Sequence, residues 1–342
     1  MPRLTIRQHG ASASIPRHPI AGGLQKPGER KANRGWTAAV ARRNSQYLQR
    51  IDFENVDGTP YAVTLTLPAW QMEQVTPTVL HRLIDVMLKY LRRHGMLHFH
   101  WIVEFTAKRM PHIHMSIWMN DRYEEWDRSL RQYVVWDNDE GRVVANIVIK
   151  WLELTAAEGL HVSSKSQDVQ LIDGSEAWLV YVAKHGIRGV KHYQRALVNM
   201  PDEWRDGAGA MWGHDRNLPV VDDNILPMDM RAFHQFRREV RKWCCAHARM
   251  VKDPARRARA IRQARRVNRC GQPRLSVVRP VSVWIPKDVT ISIVKGLRFR
   301  GYMIGWDAYQ WGVGELARLR GEGGSEERRR ILGKSLMEML RT

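Results

Sequence analysis

The chain has 342 residues, enough for about two domains, one of them with a sizeable core. Hydrophobic residues make up 44% and charged residues 26%, which excludes wholesale disorder; no apolar run approaches the roughly 18 residues of a spanning helix. Lys and Arg outnumber Asp and Glu by 55 to 35, and a formal net charge of +20 points to a polyanionic partner. The N-terminal MPRLTIRQHGASAS has no apolar signal core, and Cys244, Cys245 and Cys270 are too few and too clustered for a disulfide framework. A cytosolic protein with no membrane association is expected.

Residues 1–50 carry ten Lys or Arg and one acid, Glu29, without evident periodicity before residue 35. They read as a flexible basic arm. YAVTLTLP (61–68) alternates, with Val63, Leu65 and Leu67 on one side and Thr64 and Thr66 on the other, and Pro68 ends the strand. Residues 80–95 have helical spacing and a stop at Gly95. HFHWIVEF (98–105) and HIHMSIWM (112–119) are strands joined by TAKRMP. If that hairpin is centred near Lys108, Glu104 lies across from His112 and Ile102 across from His114. Residues 101, 103, 105, 113, 115 and 117 then face the core, and Glu104, His112 and His114 share the opposite face.

Further along, 121–136 reads as an amphipathic helix, and 142–154 as strand, helix or one leading to the other. Residues 161–175 read as a loop around a short strand, and 176–186 as a helix carrying Tyr181, Lys184 and His185 on one side. Residues 231–270 hold fourteen basic side chains against Glu239 and Asp253, and fit two basic helices broken at Asp253-Pro254. Solubility alone is one reading of that density. Phosphate contact through Arg237, Arg238, Arg241, Lys242, Arg256, Arg257, Arg262, Arg265 and Arg266 is the other. Residues 274–286 and 289–306 suggest short strands. Cys244, Cys245, His247 and Cys270 tempt a zinc reading, but adjacent cysteines fit a tetrahedral site badly. The division expected is an arm over 1–50, a middle domain over 51–225 where the chemistry should lie, and a DNA-binding or oligomerisation domain over 226–342.

Two imidazoles at i and i+2 on a strand can bind one ion, and Glu104 can complete a facial N, N, O set with positions open to substrate. Such a site suits a divalent ion, Mg2+ or Mn2+, against a phosphate oxygen. Tyr181 supplies a nucleophile whose attack on a phosphodiester would leave a 5′-phosphotyrosyl link and a 3′-hydroxyl, with Lys184 as electrostatic support. A tyrosine in WLVYVA also suits a core position, and Tyr193 is the fallback nucleophile.

Taken in order, VTLTLP (63–68), EFTAKRMPHIHM (104–115) and YVAKHGIRGVK (181–191) resemble the three motifs of the HUH endonucleases, among them the rolling-circle replication initiators of single-stranded DNA phages and plasmids. NMPDEW…GAMWG (199–213) looks like the segment that closes such domains, marked by Trp212-Gly213. The resemblance covers roughly half the chain, about 60 to 215. It implies an α+β fold, a central antiparallel sheet with helices packed on one face, followed here by a basic, mainly helical C-terminal region. It implies His112 and His114 as metal ligands with Glu104 as the third, Tyr181 as nucleophile, and small polar residues such as Thr64 and Thr66 beside the site. The expected activity is nicking and joining of one DNA strand at an origin, with host helicase and polymerase as implied partners. Where many relatives carry a second tyrosine, this chain has His185, leaving a single-tyrosine mechanism or one shared by two protomers of a homodimer. A relaxase or single-strand transposase would use the same chemistry, and a non-catalytic nucleic-acid-binding protein is the contrasting reading.

Overall fold

The structure, a computed structural model, describes residues 1–15, 35–173, 186, 188, 192–205, 207–266 and 281–306. In chain order its elements are β1 (Arg3–Arg7), β2 (Gly10–Ser14), α1 (Ala38–Leu48), β3 (Thr59–Thr66), α2 (Pro77–Arg93), β4 (Met96–Phe105), β5 (Pro111–Met119), β6 (Arg122–Asp127), β7 (Gln132–Asp137) and α3 (Glu140–Ala157). There follow β8 (Asp168–Leu171), β9 (Trp212–His214), β10 (Asn224–Pro227), α4 (Met230–Arg249), α5 (Pro254–Arg266), β11 (Val281–Trp284) and α6 (Lys287–Phe299). The chain divides into two units, one within 21–222 and one joining 1–20 to 223–342. Among the described residues no helix is long and apolar enough to cross a membrane.

The unit within 21–222 is α+β. Its antiparallel sheet has the order β8-β3-β5-β4-β9. Alternation sends Val63, Leu65, Trp101, Val103, Phe105, Ile113, Met115 and Ile117 into one core. On α2, Leu80, Leu83, Ile84, Met87 and Leu91 recur at helical spacing and cover that face. Thr76 caps α2 by accepting from the Val79 amide, and Pro77 opens its first turn. The chain turns out of α2 through Gly95, at φ 88°, where an added Cβ would lie 2.8 Å from the Asn138 amide nitrogen. On α3, Val143, Ile147 and Trp151 join the same core, and the Trp151 indole donates to the Thr66 carbonyl at 3.1 Å. Residues 142–154 are therefore helix, capped by Asp139.

The segment expected as a helix over 121–136 is instead the β6–β7 hairpin, a separate two-stranded sheet. The Asp127 carboxylate accepts from the Ser129 and Leu130 amides, and Arg131 takes φ 51°. Such an Asx turn stabilises a reversal rather than a helical turn.

The second unit corrects the flexible-arm expectation. β1 and β2 are the two central strands of a sheet ordered β10-β1-β2-β11. Leu4, Ile6, Ala11 and Ala13 point inward against Phe233, Phe236 and Val240 of α4 and Val294 and Leu297 of α6. Residues 35–48, also assigned to that arm, supply Trp36 and α1 to the first unit. Asp253 caps α5 through the Arg256 amide at 2.6 Å, so the break between the basic helices falls where the sequence places it. Residues 281–284 are strand as expected, but 287–299 are helix, with Thr290, Val294 and Leu297 buried at i, i+4 and i+7.

Candidate metal centre and its arginine backing

The β4–β5 register pairs Glu104 with His112 and Ile102 with His114, as a hairpin centred on Lys108 requires. β3 brings Thr64 opposite His114 and Thr66 opposite His112. Directly paired residues share a sheet face, so Glu104, His112, His114 and Thr64 gather on one side of the sheet. One nitrogen from each imidazole and a Glu104 oxygen lie within 4.8 Å of one another. His114 Nε2 is 3.8 Å from Glu104 Oε2, and the two rings meet edge to face at 4.5 Å between centroids. The Thr64 hydroxyl lies 3.1 Å from His114 Nδ1, which leaves Nε2 as the nitrogen turned toward the carboxylate. A ligand histidine is commonly oriented through its other nitrogen in this way. Two nitrogens and one carboxylate oxygen, convergent and shielded, fit a divalent ion.

Glu104 has a second occupation. It is fully buried, and its two oxygens meet two guanidiniums: Arg195 Nε at 2.7 Å from Oε1, and Arg188 on Oε2. Arg195 is itself buried, lies over the Trp36 ring at 3.9 Å and donates to the Arg188 carbonyl. Burial lowers its guanidinium pKa from the ordinary value, and the Glu104 charge opposes that shift. Gln194 adds an amide 3.1 Å from His112 Nε2, while its backbone carbonyl accepts from the Phe105 amide at 2.8 Å. Reasoning from sequence missed Arg188, Gln194, Arg195 and Trp36. The available signal was a carboxylate on a strand bound for burial, which calls for cationic partners somewhere in the chain.

The remaining expected residues are placed as follows. Thr66 turns its hydroxyl to the Ser166 carbonyl at 3.0 Å and its amide to Gln167, so it fastens the 163–167 loop instead of touching His112. Tyr193 is 55% exposed and neighbours Gln194 in the chain. Tyr181, Lys184 and His185 lie outside the described residues. Arg238, Arg241, Lys242, Arg256, Arg262 and Arg265 are exposed, and Arg237 and Arg257 half-buried, on α4 and α5; the Arg266 side chain lies outside the described set. Burial pushes the Cys244 thiol up to about 11. Among the described residues the metal-competent cluster is the one at Glu104, not one at Cys244 and Cys245.

The same sheet face continues past Ile102. His100 Nε2 meets the buried Asn44 at 2.8 Å, and Tyr47 of α1 stacks on His214 at 3.9 Å. Asp215 lies 2.9 Å from His98 Nδ1 and 2.8 Å from Arg92. Burial pushes the Asp215 carboxyl upward, but the His98 and Arg92 hydrogen bonds outweigh it and hold it below the ordinary value of 3.8.

A family model described as replication-associated protein ORF2/G2P matches residues 60–155, the stretch holding Glu104, His112 and His114. The chain is 30% identical over 281 residues to the replication-associated protein G2P of Pseudomonas phage Pf3, covering 82% of this chain and 92% of that one. It is 28% identical over 315 residues to a protein of Xylella fastidiosa strain 9a5c named as a replication protein, covering 89% of this chain and 99% of the other. No solved structure matches the chain.

Proposed function

The chain belongs to the replication-associated ORF2/G2P family, and from that premise we propose that it initiates replication by nicking and rejoining one DNA strand at an origin. The observation that carries the reading is the convergence of Glu104, His112 and His114 within 4.8 Å on one hairpin. A bound Mg2+ or Mn2+ would polarise a phosphodiester oxygen and neutralise the charge that builds on it.

The chain's own groups do the rest. Thr64 fixes the His114 ring and Gln194 contacts His112, so both imidazoles are held in place before substrate arrives. Arg188 and Arg195 hold the Glu104 carboxylate in place through its two oxygens. Tyr181, or Tyr193 failing it, supplies the phenolate oxygen. That oxygen bonds to phosphorus as the bond to O3′ breaks, and the tyrosine proton leaves to solvent or a neighbouring base. The departing 3′ oxygen takes up a proton, giving a 5′-phosphotyrosyl adduct and a 3′-hydroxyl. Attack of a 3′-hydroxyl on the adduct reverses the step and joins strands. The exposed arginines of α4 and α5 hold DNA through its phosphates, and host helicase and polymerase extend the 3′ end.

The test is adduct formation. Labelled single-stranded oligonucleotides are incubated with the protein and Mn2+ and scored for a protein–DNA species that survives boiling. The wild type forms it, Tyr181→Phe does not, and Tyr193→Phe does. An adduct retained in Tyr181→Phe moves the nucleophile elsewhere. No adduct across a broad library of sequences and divalent ions leaves a non-catalytic DNA-binding protein.

A further inference from the structure

We propose that Trp70 and His161 form a stacking platform for one base of a single strand passing the metal centre. The inference rests on the reading that the chain acts on single-stranded DNA. Trp70 is 72% exposed, the most exposed tryptophan among the described residues. Its ring lies parallel to that of His161, at 5° and 6.1 Å between centroids. An aromatic side chain so far out of the core contributes little to folding, yet the backbone beside this one is tied down.

The hold comes from Gln71, next in the chain and 7% exposed. Its amide nitrogen donates to the Gly159 carbonyl at 2.7 Å, and its oxygen accepts from the His161 amide at 2.7 Å. Gln71 leaves helical geometry, at φ −109° and ψ 30°, within the short 3-10 segment Ala69–Gln74. One buried amide thereby ties together the backbones that carry both rings. The loop beyond His161 is fastened to Thr66 through Ser166 and Gln167, and Thr66 pairs with His112. Trp70 follows Thr66 by four residues, at most about 14 Å of extended chain. The platform is therefore mounted close to the metal centre on backbone that the site itself fixes.

A nucleobase is the occupant these features select. Trp70 offers an exposed aromatic face beside the parallel His161 ring, and the adjoining loop is polar, with Ser163, Ser164 and Ser166 and an exposed Lys165 suited to a phosphate. Bases stack on such rings with little regard to sequence, and in a duplex their faces are already covered.

The experiment uses the full chain in EDTA, so that neither metal nor cleavage enters. A thymidine oligonucleotide containing 5-iododeoxyuridine is bound, irradiated, and the crosslinked peptide mapped by mass spectrometry, while fluorescence anisotropy gives Kd. The crosslink is expected at Trp70 or His161. Trp70→Ala should lose it and weaken binding about tenfold. Trp70→Tyr should keep both, and the salt dependence should stay that of the wild type because no phosphate contact is removed. Matching thermal unfolding curves for the two variants exclude a folding defect. Crosslinks mapping only elsewhere, or a Trp70→Ala Kd within twofold of the wild type, overturn the platform. A platform that passes while the boiling-resistant adduct fails to form would count against the nuclease reading alone.

Discussion

Glu104→Gln separates the arginine pairing of one carboxylate from the metal binding proposed for it. The substitution keeps shape and one acceptor oxygen but removes the charge facing Arg195 and Arg188, whose side chains are 0% and 12% exposed. Breaking a buried ion pair by neutralising one partner costs about 3–5 kcal/mol, and the retained acceptor argues for the lower end, about 3 kcal/mol. For a unit of about 200 residues, with roughly 2–4 °C per kcal/mol, the melting temperature should fall by about 6–12 °C. The measurement is thermal unfolding in EDTA, so that metal binding contributes nothing. His114→Asn, which leaves the arginine contacts intact, should move it by less than about 3 °C. Added Mn2+ should then raise the wild-type melting temperature and leave both variants unmoved. A Glu104→Gln protein that melts in EDTA within about 2 °C of the wild type would refute the arginine-anchor argument.

Deleting residues 1–15 should not behave as the trimming of an arm. It removes both central strands of the second sheet, so the 223–306 region should lose protection in limited proteolysis while the 35–222 region keeps it. Asp215→Asn should destabilise by about 2 kcal/mol at neutral pH, the scale of hydrogen bonds to a charged group. Because the folded carboxyl titrates below its ordinary 3.8, that stabilisation is present above about pH 4 and is lost as pH falls through the folded value. Wild-type and variant melting curves should therefore converge in acid. Replacing exposed Arg238, Arg241 and Lys242 by alanine should reduce the slope of log K against log salt for single strands by about 2. An unchanged slope would remove that helix face from the DNA contact.

The β4–β5 hairpin was legible because its period is two and its centre was fixed by the loop. Given Lys108 as the midpoint, the opposition of Glu104 and His112 follows by parity, as the structure shows. The 121–136 segment misled because Tyr123, Trp126, Tyr133 and Trp136 fit both a helical stripe and two short strands. The Asp127 turn, a local hydrogen-bond choice, decided between them. Residues 289–294 carry β-branched side chains that favour strand, yet burial of Thr290, Val294 and Leu297 on one helical face prevailed. In β1 and β2 the basic charge drew attention from the inward alternation of Leu4, Ile6, Ala11 and Ala13. Arg195 stands 91 residues from its carboxylate, and no local pattern announces such a pairing.

The order of strands in the second sheet sets a timetable for synthesis. β1 and β2 leave the ribosome first, but their neighbours β10 and β11 begin at Asn224 and Val281. At about 5–20 residues per second the opening hairpin waits roughly 10–50 s for its last partner strand. Meanwhile the 35–222 region, with Glu104, His112 and His114, emerges whole. The nascent chain thus acquires the Glu104, His112 and His114 cluster before it completes the sheet beside its basic helices.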